Sequence, residues 1–273
     1  VEAPADYDIT STSNPRVKAL VRLRRRRYRT AEERTLVEGF EELRLAVSAG
    51  ARPSAVYHCP DLARPGELAE LRERPGFGAA ELLLVSPSVF GKISYRDSPD
   101  GWLAVLPSVR TELAELRLPG EDPLLLVCEG VEKPGNLGAM LRTADAAGVA
   151  AVIATDPGTD WANPNVVRAS KGAVHALPVA AASGADALRW LAERGIAVVA
   201  ATPEGGVPYT ELDLRGPLAI AVGAEKDGLS GPWLAAARDR ALIPMHGLVD
   251  SLNVSTSAAI LLFEALRQRN SAQ

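Results

Sequence analysis

The 273-residue chain holds only two cysteines, three histidines and two methionines, and 5% of it is aromatic. Cys59 and Cys128 lie far apart, each inside an apolar stretch. Two such thiols cannot build a zinc cluster, and a disulfide framework needs several closely spaced pairs. With so few His and Cys side chains, no metal site is expected. No apolar run approaches the ~20 residues that a membrane helix requires. The opening residues are acids and Pro rather than a basic-then-apolar leader, so neither secretion nor a membrane partner is expected and a reducing cytoplasm fits.

A large excess of either charge is also missing, since 30 Lys and Arg face 34 Asp and Glu for a net charge of −4. The balance hides an asymmetry. Arg16, Lys18, Arg22, Arg24, Arg25, Arg26, Arg27 and Arg29 follow one another with no acid among them, whereas acids dominate downstream. Such a run reads either as a basic surface for a polyanion or as a solvated helix face. By itself it names no substrate.

Hydrophobic residues make up 47% of the chain, enough for a core in each of two domains. Residues 1–15, with Pro4, Pro15 and a Thr/Ser/Asn stretch, read as a tail that orders on contact. Thr30 with Glu33 has capping-box spacing, and Leu36, Phe40, Leu43 and Val47 share one helical face, so a helix is predicted from Thr30 to Gly50. Apolar strands are predicted at 55–58, 81–85 and 102–106, with a helix at 67–73. This gives a small α/β domain over 1–106, a linker over 107–122 and a second domain over 123–273. In the second domain, apolar strands at 124–127, 150–154, 196–201, 218–222 and 241–244 alternate with helices at 137–147, 186–194, 232–238 and 254–267. That rhythm predicts a parallel sheet covered on both faces, with ligands beyond the carboxyl ends of its strands.

Three constellations in this half carry chemistry. Pro134-Gly135-Asn136-Leu137-Gly138 opens a helix, with Asn136 at a capping position and Arg142 under two turns away. A cation there does not complement the helix dipole, which favours the far end. Gly223-Ala224-Glu225-Lys226-Asp227-Gly228 follows an apolar strand directly, so Glu225 is held at the sheet edge. Asp250-Ser251-Leu252-Asn253-Val254-Ser255-Thr256-Ser257 crowds more short polar side chains onto a helix start than one cap requires. Taken singly, the first two read equally well as a capped helix and as an ordinary strand–turn–helix link.

The order of all three, Asn-x-Gly-x-x-x-Arg, then Gly-x-Glu-x-x-Gly, then Pro followed by Ser-Leu-Asn-Val-Ser, resembles the SpoU family of 2′-O-ribose RNA methyltransferases, within the SPOUT superfamily. The resemblance spans about 123–269 and includes Arg168-Ala169-Ser170-Lys171-Gly172-Ala173; Val37-Glu38-Gly39 is similar to the start of the family's small substrate-binding domain. Lys133 stands where the family often has an acid. The resemblance implies an α/β fold whose C-terminal parallel-sheet domain carries a deep trefoil knot, preceded by a small α/β RNA-binding domain. It implies S-adenosylmethionine held at Thr202, Gly223, Ile243, Met245 and Leu252, and catalysis by Arg142 with Asn136, Glu225, Ser251 and Asn253. It further implies a homodimer, and RNA contacts from Arg16, Lys18, Arg22, Arg24, Arg25, Arg26, Arg27, Arg168 and Lys171. The whole chain resembles antibiotic-resistance members, of the avilamycin type, that methylate large-subunit (23S) rRNA. A tRNA 2′-O-methyltransferase and a non-catalytic knotted RNA-binding or ribosome-assembly protein are the alternatives.

Overall fold

The computed structural model describes residues 6–203 and 205–271. It forms two compact units, Val1–Val109 with Ala162–Ala176, and Arg110–Trp161 with Leu177–Gln273.

The first unit opens with α1 (Pro15–Leu23), capped by the Asn14 side chain and started by Pro15, whose fixed φ suits a first helical turn. Val17, Leu20 and Leu23 form its buried face. The preceding residues are not a loose tail. Ile9 is 4% exposed, bridges Val85, and exchanges backbone bonds with Leu84 and Ser86, because a buried Ile is worth ordering a strand edge around. Residues 1–5 of the expected tail lie outside the described residues.

The predicted helix from Thr30 to Gly50 is three elements. α2 (Arg26–Glu32) ends where Glu33 turns left-handed at φ 50°, β1 (Arg34–Glu38) follows, and α3 (Phe40–Ser48) starts after Gly39. Leu36 is buried by a sheet face and Phe40, Leu43 and Val47 by a helix, yet their spacing keeps helical phase. The pattern was apolar for two different reasons. β2 (Ala55–His58), α4 (Glu67–Arg72), β3 (Glu81–Leu84), α5 (Pro87–Ile93) and β4 (Trp102–Pro107) complete the N-terminal run, in a sheet of order β1-β4-β2-β3.

The second unit begins with residues of the expected linker: Ala181 donates to the Thr111 carbonyl, and Leu116 is 7% exposed in the core. Its elements start with β5 (Leu124–Glu129), α6 (Pro134–Ala146) and β6 (Ala151–Thr155). The chain then contributes α7 (Pro164–Ala169) to the first unit and returns as β7 (Val179–Ala182), α8 (Gly184–Glu193), β8 (Ala197–Ala201) and β9 (Val207–Pro208). β10 (Leu218–Val222), α9 (Gly231–Ala236), β11 (Asp239–Leu242) and α10 (Val254–Asn270) end it. All seven strands are parallel in the order β7-β6-β5-β10-β8-β11-β9, as the apolar runs predicted; the reading missed β7 and β9. β10 thus enters between β5 and β8 after both are made. α10 packs on α6 and is tied down at its far end, where Arg269 donates to the carbonyls of Asp122, Leu214 and Gly216. Gln268 adds bonds to Leu212 and Leu214.

α7 and the turn after it are locked into the first unit. Thr35 donates to the Ala162 carbonyl at 2.7 Å, and Glu42, whose side chain is 2% exposed, receives Arg96 at 2.8 Å and Lys171 at 3.5 Å. Gly172, at φ 85°, lies so close that a Cβ would come within 2.7 Å of the Glu42 carbonyl oxygen. In the same segment His175 has an Nε2 that is buried with no hydrogen-bond partner, although part of the residue reaches solvent. Burial lowers its pKa to about 4, so the ring stays neutral in the fold. A depressed pKa contributes stability that is complete above the unfolded value near 6.5 and withdrawn as pH falls towards about 4. Urea titrations should therefore show the wild type losing roughly 2–3 kcal/mol more between pH 7 and pH 4 than His175→Leu does. Parallel losses would contradict a buried neutral ring.

Candidate active site

The carboxyl ends of β8, β10 and β11 and the start of α10 enclose a cavity of about 660 Å³, within the range that holds small ligands. Its walls are joined, since the Thr202 N–H donates to the Ala241 carbonyl across β8 and β11 at 3.0 Å. Thr202, Gly223, Ile243, Met245 and Leu252 all line it. So do Glu225 and Ser251.

The loop after β10 closes on itself, with the Gly228 N–H on the Ala224 carbonyl at 3.0 Å. Gly223 is the residue that permits this, because a Cβ there would lie 2.0 Å from the Gly228 carbonyl carbon. Gly228 differs: it needs only its left-handed φ of 66°, with open space around it. The start of α10 is capped by Asn253, whose Oδ1 accepts from the Ser255 N–H at 2.9 Å and the Ser255 hydroxyl at 2.6 Å. The same side chain uses its Nδ2 to donate to Asn136 Oδ1 at 3.3 Å. Asn136 in turn donates through its own Nδ2 to Glu225. An amide can accept and donate at once; Asn136, in the first turn of α6 and not at its cap, which is Lys133, uses both ends to join α6 to the loop after β10 and the start of α10. Lys133, three residues before Asn136, pairs with the same Glu225 at 3.8 Å. Ser251 donates to Asp250 at 3.3 Å. Asp250, Lys226 and Leu229 also line the cavity; they stand in or beside the motifs, where the sequence assigned them no role.

Arg142 does not join this set. It is exposed on α6 and makes no hydrogen bond or ion pair among the described residues. A different pair of carboxylates braces the far side of the sheet edge. Glu129 accepts from the Ser230 N–H at 2.7 Å and hydroxyl at 2.6 Å, and Asp156 from the Gly184 N–H at 2.9 Å, satisfying helix starts. Among the described residues no group of His, Cys, Asp and Glu is arranged to hold a metal, and no helix is long and apolar enough to cross a membrane.

The basic run divides. Arg24 donates to the carbonyls of Lys92, Ile93 and Ser94 at the end of α5, and the buried Arg29 donates to those of Leu23 and Arg24. Arg16 pairs with Glu81 at 2.6 Å. Lys18, Arg22, Arg25, Arg26 and Arg27 are exposed, with Arg27 lying 4.7 Å above the Tyr28 ring. Arg168 is exposed on α7, and Lys171 reaches the buried Glu42.

The segment that builds this cavity matches a known family. Residues 123–263 match the SpoU rRNA Methylase family, and residues 14–104 match the MRM3-like substrate binding domain. The chain belongs to the SpoU family. It is 44% identical over 154 residues, 56% of its length, to the 23S rRNA (guanosine-2′-O-)-methyltransferase RlmB of Vibrio parahaemolyticus. That match spans 62% of the relative, so the chain covers about three-fifths of that SpoU protein. Among solved structures, an RNA 2′-O ribose methyltransferase is 45% identical with a TM-score of 0.84, covering 95% of this chain and 98% of that one. The SpoU methyltransferase AviRb of Streptomyces viridochromogenes, in complex with the cofactor AdoMet, has a TM-score of 0.85 at 26% identity, covering 94% and 99%.

The tight SpoU turn after β10 makes a stability test possible. Gly223→Ala is expected to cost about 1–3 kcal/mol in urea unfolding, because backbone must move to admit the methyl. Gly228→Ala should cost only about 1 kcal/mol for its left-handed backbone. Hydrogen exchange at 224–229 should accelerate in the first variant only. Equal costs would show that the turn is not closed as described.

Proposed function

We propose that this chain transfers a methyl group from S-adenosylmethionine to a ribose 2′-hydroxyl of RNA, with 23S rRNA as its substrate. The observation that carries the reading is the Asn253–Asn136–Glu225 bridge at the rim of the 660 Å³ cavity. It holds three segments as one frame beside a space of cofactor size. The cavity suits the donor chemically, since its lining combines the apolar Ile243 and Leu229 with the polar Thr202 and Ser257. When bound, the donor supplies an electrophilic methyl on sulfur.

The residues then divide the work. Thr202, Gly223, Ile243, Met245 and Leu252 form the cofactor wall. Asn136, Glu225, Ser251 and Asn253 fix and orient the ribose, and alignment at the methyl supplies much of the rate. Arg142, whose planar guanidinium presents several donors, serves as binder of the adjacent phosphate or the developing alkoxide rather than as a base. The proton of the 2′-hydroxyl leaves to a phosphate oxygen of the substrate.

Forty-four per cent identity to RlmB supports rRNA over tRNA. The match of residues 14–104 to a substrate-binding domain supports RNA contact by the first unit. An antibiotic-resistance role draws no support from any described residue. The trefoil knot belongs to this reading: the late entry of β10 between β5 and β8, with α10 returned onto α6, supports it. So does a homodimer, which would cover the exposed Leu248, Val249 and Phe263.

Arg142→Ala is expected to slow single-turnover methyl transfer by about 10²–10⁴-fold. Donor affinity by calorimetry should stay close to wild type, with chelator present throughout. Near-normal transfer would remove Arg142 from the reaction, and loss of donor binding would move it into the cofactor wall. Donor binding that vanishes in chelator would contradict the metal-free site.

A further inference from the structure

The first unit has a cavity of its own, about 470 Å³, in the groove between α1 and α5. Pro15, Val17 and Val21 give it an apolar lining, and Thr12, Lys18, Arg22 and Lys92 complete its wall. We propose that this groove is the RNA-binding subsite of the first unit, taking an unpaired nucleotide against its apolar floor while Lys18, Arg22 and Lys92 hold the flanking phosphates. The inference rests on the methyltransferase reading for the identity of the RNA.

Four observations lead there. The groove is preformed: Val17, Leu20 and Leu23 of α1 and Val89, Phe90 and Ile93 of α5 share one buried core, so neither wall is free to close. The fold does not use its cations. Lys18, Arg22 and Lys92 are exposed and, among the described residues, have no carboxylate partner, whereas Arg16 on the same helix is neutralised by Glu81. Two of the three have a described anchor, Arg22 through its side chain and Lys92 through its backbone. Arg22 lies 5.7 Å over the Tyr28 ring, and the Arg24 guanidinium grips the Lys92 carbonyl at 3.0 Å together with its two neighbours. Arg24 is thus a positioning residue for the groove, not a phosphate ligand. Finally, the chemistry matches one class of occupant. Apolar contact with a base face beside cations that track a backbone is how unpaired RNA is gripped without reading its sequence. An acidic peptide would also meet the cations, but the match of residues 14–104 to a substrate binding domain favours RNA.

Lys92 makes the inference testable, because it lies on α5, 63 residues beyond the end of the arginine run, and a merely basic helix gives it no role. The test uses the full chain and a large-subunit rRNA transcript, measuring RNA affinity against salt and methyl transfer in single turnover. Lys92→Glu alone should weaken RNA binding by about tenfold or more, with donor affinity unchanged. The triple variant Lys18→Gln, Arg22→Gln, Lys92→Gln should flatten the log–log salt slope by about 2, at about 0.7 per lost phosphate contact. The loss in transfer should appear as a higher RNA concentration at half-maximal rate, with donor affinity unchanged, since no altered residue lies at the cavity of the second unit. Arg25→Gln with Arg26→Gln, which removes two cations of the same run outside the groove, serves as the control and should leave most of the slope in place. A triple variant with wild-type affinity and slope overturns the groove, as does a control pair that loses as much as the triple. If the wild type transfers no methyl to any RNA while the triple variant still loses RNA binding, the subsite stands and the methyltransferase reading falls.

Discussion

β10 enters the sheet between β5 and β8, and the geometry of the site follows from that placement. Parallel strands present their carboxyl ends on one edge, so inserting a late strand at the centre brings its following loop beside loops made much earlier. The turn at 223–228 thereby meets Asn136 after β5, and the start of α10 closes the third side. Each β10 residue is at most 1% exposed, so the insertion is sealed by burial on both faces. Arg269 and Gln268 fasten the end of α10 to the loop that precedes the same strand. One strand's place thus sets both the cavity and the clasp that keeps it.

Charge is used in the same economical way. The acidic chain spends several arginines on carbonyls: Arg24 on the end of α5, Arg29 on the end of α1, Arg269 on the loop before β10. Guanidinium groups suit this task because they present several donors in a fixed plane. The buried Glu42 with Arg96 and Lys171 ties α7, which follows β6 in the chain, into the first unit. An ion pair of this kind contributes little net stability, but breaking it would strand a buried carboxylate, so it specifies a position. What remains exposed and unpaired in the first unit is then informative, since the fold has not consumed it.

Five strands of the parallel sheet and the three constellations were legible because continuous apolar runs and short polar motifs survive in one dimension. Thr202, Gly223, Ile243, Met245 and Leu252 lie on separate loops and meet in one cavity, as the resemblance implied. β7, with the run Val-Ala-Ala-Ala, was hidden by its alanines, which do not favour strands, and β9 by its two-residue length. β1 was hidden because Leu36 keeps helical phase with Phe40 across a turn at Gly39. The roles of Arg24 and Arg29 were out of reach for another reason. An arginine that meets phosphates and one that meets carbonyls have the same letter, and only the fold shows which donors are already taken. Lys92 was missed from the opposite side, as a lone cation outside the run.

The central claim is that the amide-bridged frame directs methyl transfer to a ribose oxygen. It is tested most directly by the chemical form of the product. A 2′-O-methyl group removes the hydroxyl that alkaline cleavage of RNA requires, so label from methyl-labelled donor should be recovered in an alkali-resistant dinucleotide. Asn136→Ala should abolish that dinucleotide while the protein stays folded, because Glu225 and Asn253 lose their common partner. Label recovered in mononucleotides would mean that a base is the acceptor. A full yield of the dinucleotide from Asn136→Ala would mean that the bridge does not direct the reaction.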